Sequence, residues 1–144
     1  MELISFIPQT ATYLIYYPET FLLDEADDGI VSITSPESAS NLTLSGYQVN
    51  QQVTEKILLD MLNDMTEDYE PRSDFRTLET NQDLFLERTY FKDEVNWVWW
   101  GLSKDNQIII ASVNSENGLS DEDYNLYRFM IDKMEIYPSE FEQA

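Results

Sequence analysis

Gln107, Ile108, Ile109, Ile110, Ala111, Ser112 and Val113 form a run that is apolar at both odd and even positions. Side chains alternate across a β-strand, so a strand of this kind has two faces to bury. Such a strand belongs at the centre of a sheet that is covered on both sides. Two further strands precede it at residues 84–90 and 95–102, with turns at residues 92–94 and 104–106. Earlier still, residues 12–17, 30–34 and 42–47 read as three short strands with tight turns between them, an antiparallel meander.

The apolar period changes after Thr54. Ile57, Leu58, Met61, Leu62 and Met65 follow helical spacing, with Thr54 as a candidate N-cap. A second helix starts at Ser120, where Asp121, Glu122 and Asp123 complement the helix dipole. Its buried stripe is Tyr124, Tyr127, Met130, Ile131 and Met134, and Pro138 is expected to stop it. The chain therefore reads as one domain over residues 1–144, of α+β class. An antiparallel sheet of about six strands carries two main helices packed on it.

Charge then restricts function. The chain has 28 Asp and Glu against 8 Lys and Arg, a formal net charge of −20. Glu2, Glu19, Asp24, Glu25, Asp27, Asp28, Glu37 and Glu55 fill the first 55 residues with no Lys or Arg among them. Such a field repels phosphate backbones and anionic lipid surfaces, so neither nucleic acid nor membrane is an expected partner. It attracts a basic protein and speeds the encounter, while also favouring solubility. The N-terminus lacks a basic segment and a long apolar run, so the expectation is a cytoplasmic protein, monomer or homodimer.

His and Cys are both absent. That removes the His-dependent nucleophilic triads, thiolate chemistry and the Cys/His zinc sites. Carboxylate pairs remain, but no spacing singles one out. Asp24, Asp28 and Gly29 fit three positions of a calcium loop, yet Ala26 and Ser35 stand where ligands are required. Residues 24–29 read instead as an acidic hairpin turn. No cofactor, metal or catalytic residue is expected.

The strand at residues 95–102 places Trp97 and Trp99 on one face and Trp100 on the other. These can be core aromatics beneath helices or anchors at a partner surface. Composition leaves both readings open.

Tyr17-Pro18, Phe21, the acidic turn at Asp28-Gly29, Ile30-Val31-Ser32-Ile33 and Ser35-Pro36 resemble the opening of PsbP-like domains. The middle helix, the strands from Leu84 to Val113 and the close at Ile136-Tyr137-Pro138 continue the same order. Position 21 is Phe where many members carry Trp. The resemblance implies an antiparallel sheet with packed helices, in a mostly non-enzymatic group. That group includes DcrB-like proteins, chaperones for type VI secretion effectors and small acidic proteins that look like toxin immunity proteins. It carries no catalytic residue to transfer.

The leading expectation is an immunity protein that binds and neutralises a basic bacterial toxin of a secretion system. Its expected contacts are Asp24, Glu25, Asp27 and Asp28, the segment Glu67, Asp68, Glu70 and Asp74, and the aromatics Trp97, Trp99 and Trp100. The alternative is a chaperone or adaptor for a type VI secretion effector, which requires exposed apolar area around the Trp strand. A carboxylate enzyme or small-ligand binder is a third possibility, and requires an enclosed pocket with converging acids.

Overall fold

The computed structural model describes residues 2–115 and 118–138. In chain order the elements are β1 (Leu3–Phe6), β2 (Tyr13–Pro18), β3 (Leu22–Glu25), β4 (Val31–Thr34), β5 (Asn41–Gln48), α1 (Glu55–Met65), β6 (Glu70–Pro71) and β7 (Arg76–Thr77). β8 (Leu84–Lys92), β9 (Val95–Lys104), β10 (Gln107–Ser115), α2 (Asp121–Asp132) and β11 (Glu135–Ile136) complete the chain. The fold is α+β with antiparallel sheets and two helices.

An eight-stranded sheet runs β3-β4-β5-β10-β9-β8-β6, with β7 also pairing to β8. A small sheet, β1-β2-β11, lies apart from it. β10 sits mid-sheet between β5 and β9, and all seven residues from Gln107 to Val113 are buried. The two-faced apolar run is therefore central, as its pattern requires. The turn from β8 into β9 places Asp93 and Glu94 at positive φ, the conformation that suits a tight hairpin.

Two covers divide the core. On one face Leu58 and Leu62 of α1 pack with Leu86, Tyr90, Trp99, Ile108 and Ile110. On the other, Tyr127, Met130 and Ile131 of α2 join Tyr13, Ile15 and Ile136 of the small sheet over Leu42, Leu44, Phe85, Trp100, Leu102 and Ile109. Both helix starts follow from their caps: Thr54 Oγ1 accepts from Ile57 N, and Ser120 Oγ from Asp123 N. α1 lies directly on the β9 backbone at Gly101. A Cβ there would come within 2.9 Å of the Cδ1 atoms of Leu58 and Leu62.

A buried carboxylate pins the second layer. Glu87, 3% exposed, accepts from Trp100 Nε1 at 2.9 Å, from the Arg76 guanidinium and from the Tyr124 hydroxyl. It thereby ties β7, β8, β9 and α2 at one point. Burial, then the hydrogen bond to Glu87, raises the Tyr124 phenol pKa, so this hydroxyl stays a neutral donor.

Three expectations are corrected. The strands number more than six, because β1, β3 and the two-residue β6, β7 and β11 escape the pattern reading. The strand at residues 12–17 is not part of the meander: β2 pairs with β1 and β11, and the meander is β3-β4-β5. The second helix ends at Asp132, well before Pro138, because Ile136 pairs in strand register with Tyr13.

Gly101→Val should destabilise the fold by about 1–3 kcal/mol, because two packed leucines must move to admit it. The midpoint of urea unfolding at unchanged m-value reads this. Glu87→Leu should cost about 2–3 kcal/mol, since it orphans the Trp100 N–H and the Tyr124 hydroxyl. Arg76→Ala should cost about 2–4 kcal/mol, because it leaves the buried Glu87 carboxylate without its counter-charge, a loss moderated by the 58% exposure of the Arg76 side chain.

Candidate acidic binding pole

The four expected hairpin acids lie on one hairpin, with Asp24 and Glu25 on opposite faces of its first strand. Asp24 and Glu25 lie on β3, the edge of the large sheet, and Asp27 and Asp28 sit in the turn to β4. Gly29 takes φ +88° to close that turn, and Asp28 Oδ1 accepts from Ile30 N at 3.1 Å. Glu25 Oε2 accepts from Gln9 N at 2.8 Å, which fastens the loop before β2 onto the hairpin. Among the described residues no ion pair involves any of these four acids.

The second expected segment is different. Asp68 is held by Lys92 Nζ at 2.6 Å, and Glu70 faces Arg72 at 3.7 Å. Both the hydrogen bond to Lys92 and its charge lower the Asp68 pKa. Arg88 also reaches this segment, donating to Ser73 O at 2.9 Å. Glu67 and Asp74 are exposed, and among the described residues no ion pair involves either. Within this segment Asp68 and Glu70 are therefore paired with cations, and Glu67 and Asp74 are not.

The tryptophans are corrected as well. Trp100 is fully buried and Trp99 is 8% exposed, so neither is an exposed anchor. Trp97 is half-buried, its ring centroid 5.4 Å from that of Tyr69, which also stands edge-on to Trp99 and Tyr90. Tyr69 closes an aromatic group on the α1 face. Of the apolar area that a chaperone for apolar helices would need, this strand offers only the partly exposed Val95, Trp97 and Val98.

Three aspects of the pole escape the sequence reading. The first is a polar face across the strands: Asp24, Ser32 and Thr43 lie in one row that ends at the buried Ser112, and Thr34, Asn41 and Asn114 lie in the next. The second is exposed apolar surface among the acids, with Leu22 on β3 and Ile30 and Tyr47 beside the turn. The third is a cavity of about 170 Å³ lined by Thr10, Thr12, Tyr13, Asp28, Gly29, Ile30, Ser45, Gly46 and Tyr47. Tyr13 is buried, and among the described residues its hydroxyl has no hydrogen-bond partner. Alternation along the strands signals the polar face; the cavity depends on non-local packing and left no signal in the sequence.

The described residues contain no group of three acidic side chains placed to hold a metal ion, and no helix long and apolar enough to cross a membrane. No protein-family model matches the sequence, and no curated protein matches it. Solved structures do match in fold. The solution structure of cyanobacterial PsbP (CyanoP) from Synechocystis superposes with a TM-score of 0.68 at 13% identity, covering 94% of this chain and 92% of that one. A crystal structure of a protein from Bacteroides thetaiotaomicron gives a TM-score of 0.62 at 16% identity over all of this chain. The chain spans about half that protein's length, 52% of it. At these identities the likeness concerns architecture alone. The chain has a PsbP-like fold.

Proposed function

We propose that this protein is a non-enzymatic binding module that recognises a basic protein partner. Its specific form is an immunity protein that occupies and neutralises a bacterial toxin in the cytoplasm. One observation carries the reading: among the described residues none of the four hairpin acids has a cation paired to it, while Lys92, Arg72 and Arg76 are engaged with acids elsewhere. Uncompensated charge at one end of a molecule gives a directional field, which steers an oppositely charged partner.

The surroundings of the pole support the same reading. Exposed Ile30 and Tyr47 provide apolar contact beside the acids, the mixture found at protein interfaces. Asp24 and Glu25 lie on a paired strand and the turn that carries Asp27 and Asp28 is closed by the Asp28–Ile30 hydrogen bond, so little conformational entropy is lost when a partner docks.

The test is co-expression with a basic toxin domain encoded beside the gene, followed by kinetics on the purified complex. A 1:1 complex should form and protect the host cell. Its association rate should fall about tenfold or more between low and high salt. Joint replacement of Asp24, Glu25, Asp27 and Asp28 by Asn or Gln should reproduce the high-salt rate. An association rate indifferent to salt and to these replacements would sink the electrostatic reading.

A further inference from the structure

We propose that the protein pairs with a second copy of itself through the free edge of β1, joining the two small sheets into one continuous sheet about a two-fold axis. The contact uses none of the four hairpin acids, so it stands apart from the reading of the acidic pole.

The backbone of β1 is the first argument. Glu19 N donates to Glu2 O at 3.1 Å, so these two residues, next in the β1–β2 register, are a hydrogen-bonded pair. Such pairs alternate along an antiparallel ladder, which makes Ile4 with Tyr17 and Phe6 with Ile15 the following ones. Pro18, which has no N–H, falls opposite Leu3, where none is needed. The N–H and C=O groups of Leu3 and Ser5 therefore point away from β2. β1 ends its sheet, and among the described residues no turn or loop backbone bonds to these groups.

The other sheet edges supply the contrast. Exposed edges normally carry a device that stops them pairing with another chain. β3 has Asp24 and Glu25. β6, β7 and β11 are two residues long, with Glu70 and Pro71, Arg76, and Glu135 respectively. β1 reads Leu3-Ile4-Ser5-Phe6, with neither charge nor proline. Leu3 and Ile4 are exposed on it, Ile4 at 41%. Among the described residues this is the edge left open, and its side chains suit contact with another strand.

The order of residues selects a second copy as the occupant. Let two β1 strands run antiparallel about an axis through Ile4. Leu3 then lies opposite Ser5 of the second copy, and each such pair exchanges both N–H···O bonds, which meets every outward group of the two residues. Ile4 meets Ile4 of the second copy at the close, non-hydrogen-bonded position, an apolar pair of the kind that stabilises sheets. Glu2 meets Phe6, so no like charges are opposed. The two Glu2 residues lie about 13 Å apart along the strands. That exceeds the Debye length of ~8 Å at physiological salt. The net charge of −20 still repels at longer range, so added salt should favour the dimer. A contact between two four-residue strands belongs to the small, weak class of interfaces.

The experiment is sedimentation velocity on the full chain from about 10 μM to about 1 mM, in low and high salt. The dimer fraction should rise with concentration and with salt, the opposite sign of salt dependence from that of a basic partner. Amide hydrogen exchange gives the strand-specific readout. Leu3 and Ser5 should exchange several-fold more slowly in the concentrated sample, whereas Ile4 and Phe6, bonded to β2, should not change. Ser5→Pro removes an outward N–H and spares the ladder with β2. It should abolish the dimer and keep the thermal midpoint of the monomer. Ile4→Lys sets like charges face to face and should also give a monomer. Mixed with Ile4→Glu it should recover a heterodimer, since opposite charges then meet across the axis. A monomer under all conditions, a dimer that survives Ser5→Pro, or an Ile4→Lys and Ile4→Glu mixture that stays monomeric would overturn the proposal. Protection of Leu3 and Ser5 only in complex with a basic partner would overturn it too, and would give the edge to a strand of that partner.

Discussion

Everything in this structure is arranged around the need to cover β8, β9 and β10 on both faces. Three long neighbouring strands with apolar residues on each side cannot be stable as an open sheet, since burial of that surface is the main favourable term in folding. α1 answers on one face, and α2 with the small sheet answers on the other. The contact at Gly101 shows how close the first cover lies: the helix has settled to where even a methyl group would collide. The Glu87 cluster fixes the second cover by direction, through hydrogen bonds to Trp100 and Tyr124 that apolar packing alone would not specify.

Coverage is unequal. α1 lies over the β8–β10 half, and nothing comparable covers the same face of β3, β4 and β5 among the described residues. The sequence matches this, with Ser32, Thr34, Asn41, Thr43 and Ser45 facing out and Val31, Ile33, Leu42 and Leu44 facing in. A half-solvated sheet of this kind tolerates any polar surface. The choice of acids at its edge and turn is therefore not imposed by the fold.

Much of this architecture was legible in the residues because it is written locally. Thr54 and Ser120 announce their helices by side-chain capping, and the two-faced run at residues 107–113 announces a central strand, all independent of distant partners. The failures share one cause. β2 alternates like any strand, and nothing in Tyr13, Ile15 or Tyr17 says that it pairs with β1 and β11 and not with the meander. Met134 and Ile136 extend the helical apolar spacing of α2, yet Ile136 is claimed by Tyr13 from the other end of the chain. Glu87 looks like a polar break in an apolar strand until Trp100 and Tyr124 are brought to it. The acids at Asp68 and Glu70 resembled those of the hairpin in sequence, and only the approach of Lys92 and Arg72 separates them.

That separation bears on what the hairpin acids are for. Charged residues on an edge strand also discourage pairing with other chains, and β3 is such an edge. Edge protection accounts for Asp24 and Glu25, which lie on the strand. It does not account for Asp28, which lies in the turn beyond it, or for the exposed Ile30 and Tyr47 beside that turn, because apolar surface at an edge invites the contacts that protection should prevent. On the proposed reading, a surface that combines repulsion of its own kind with apolar contact would favour a partner of the opposite charge.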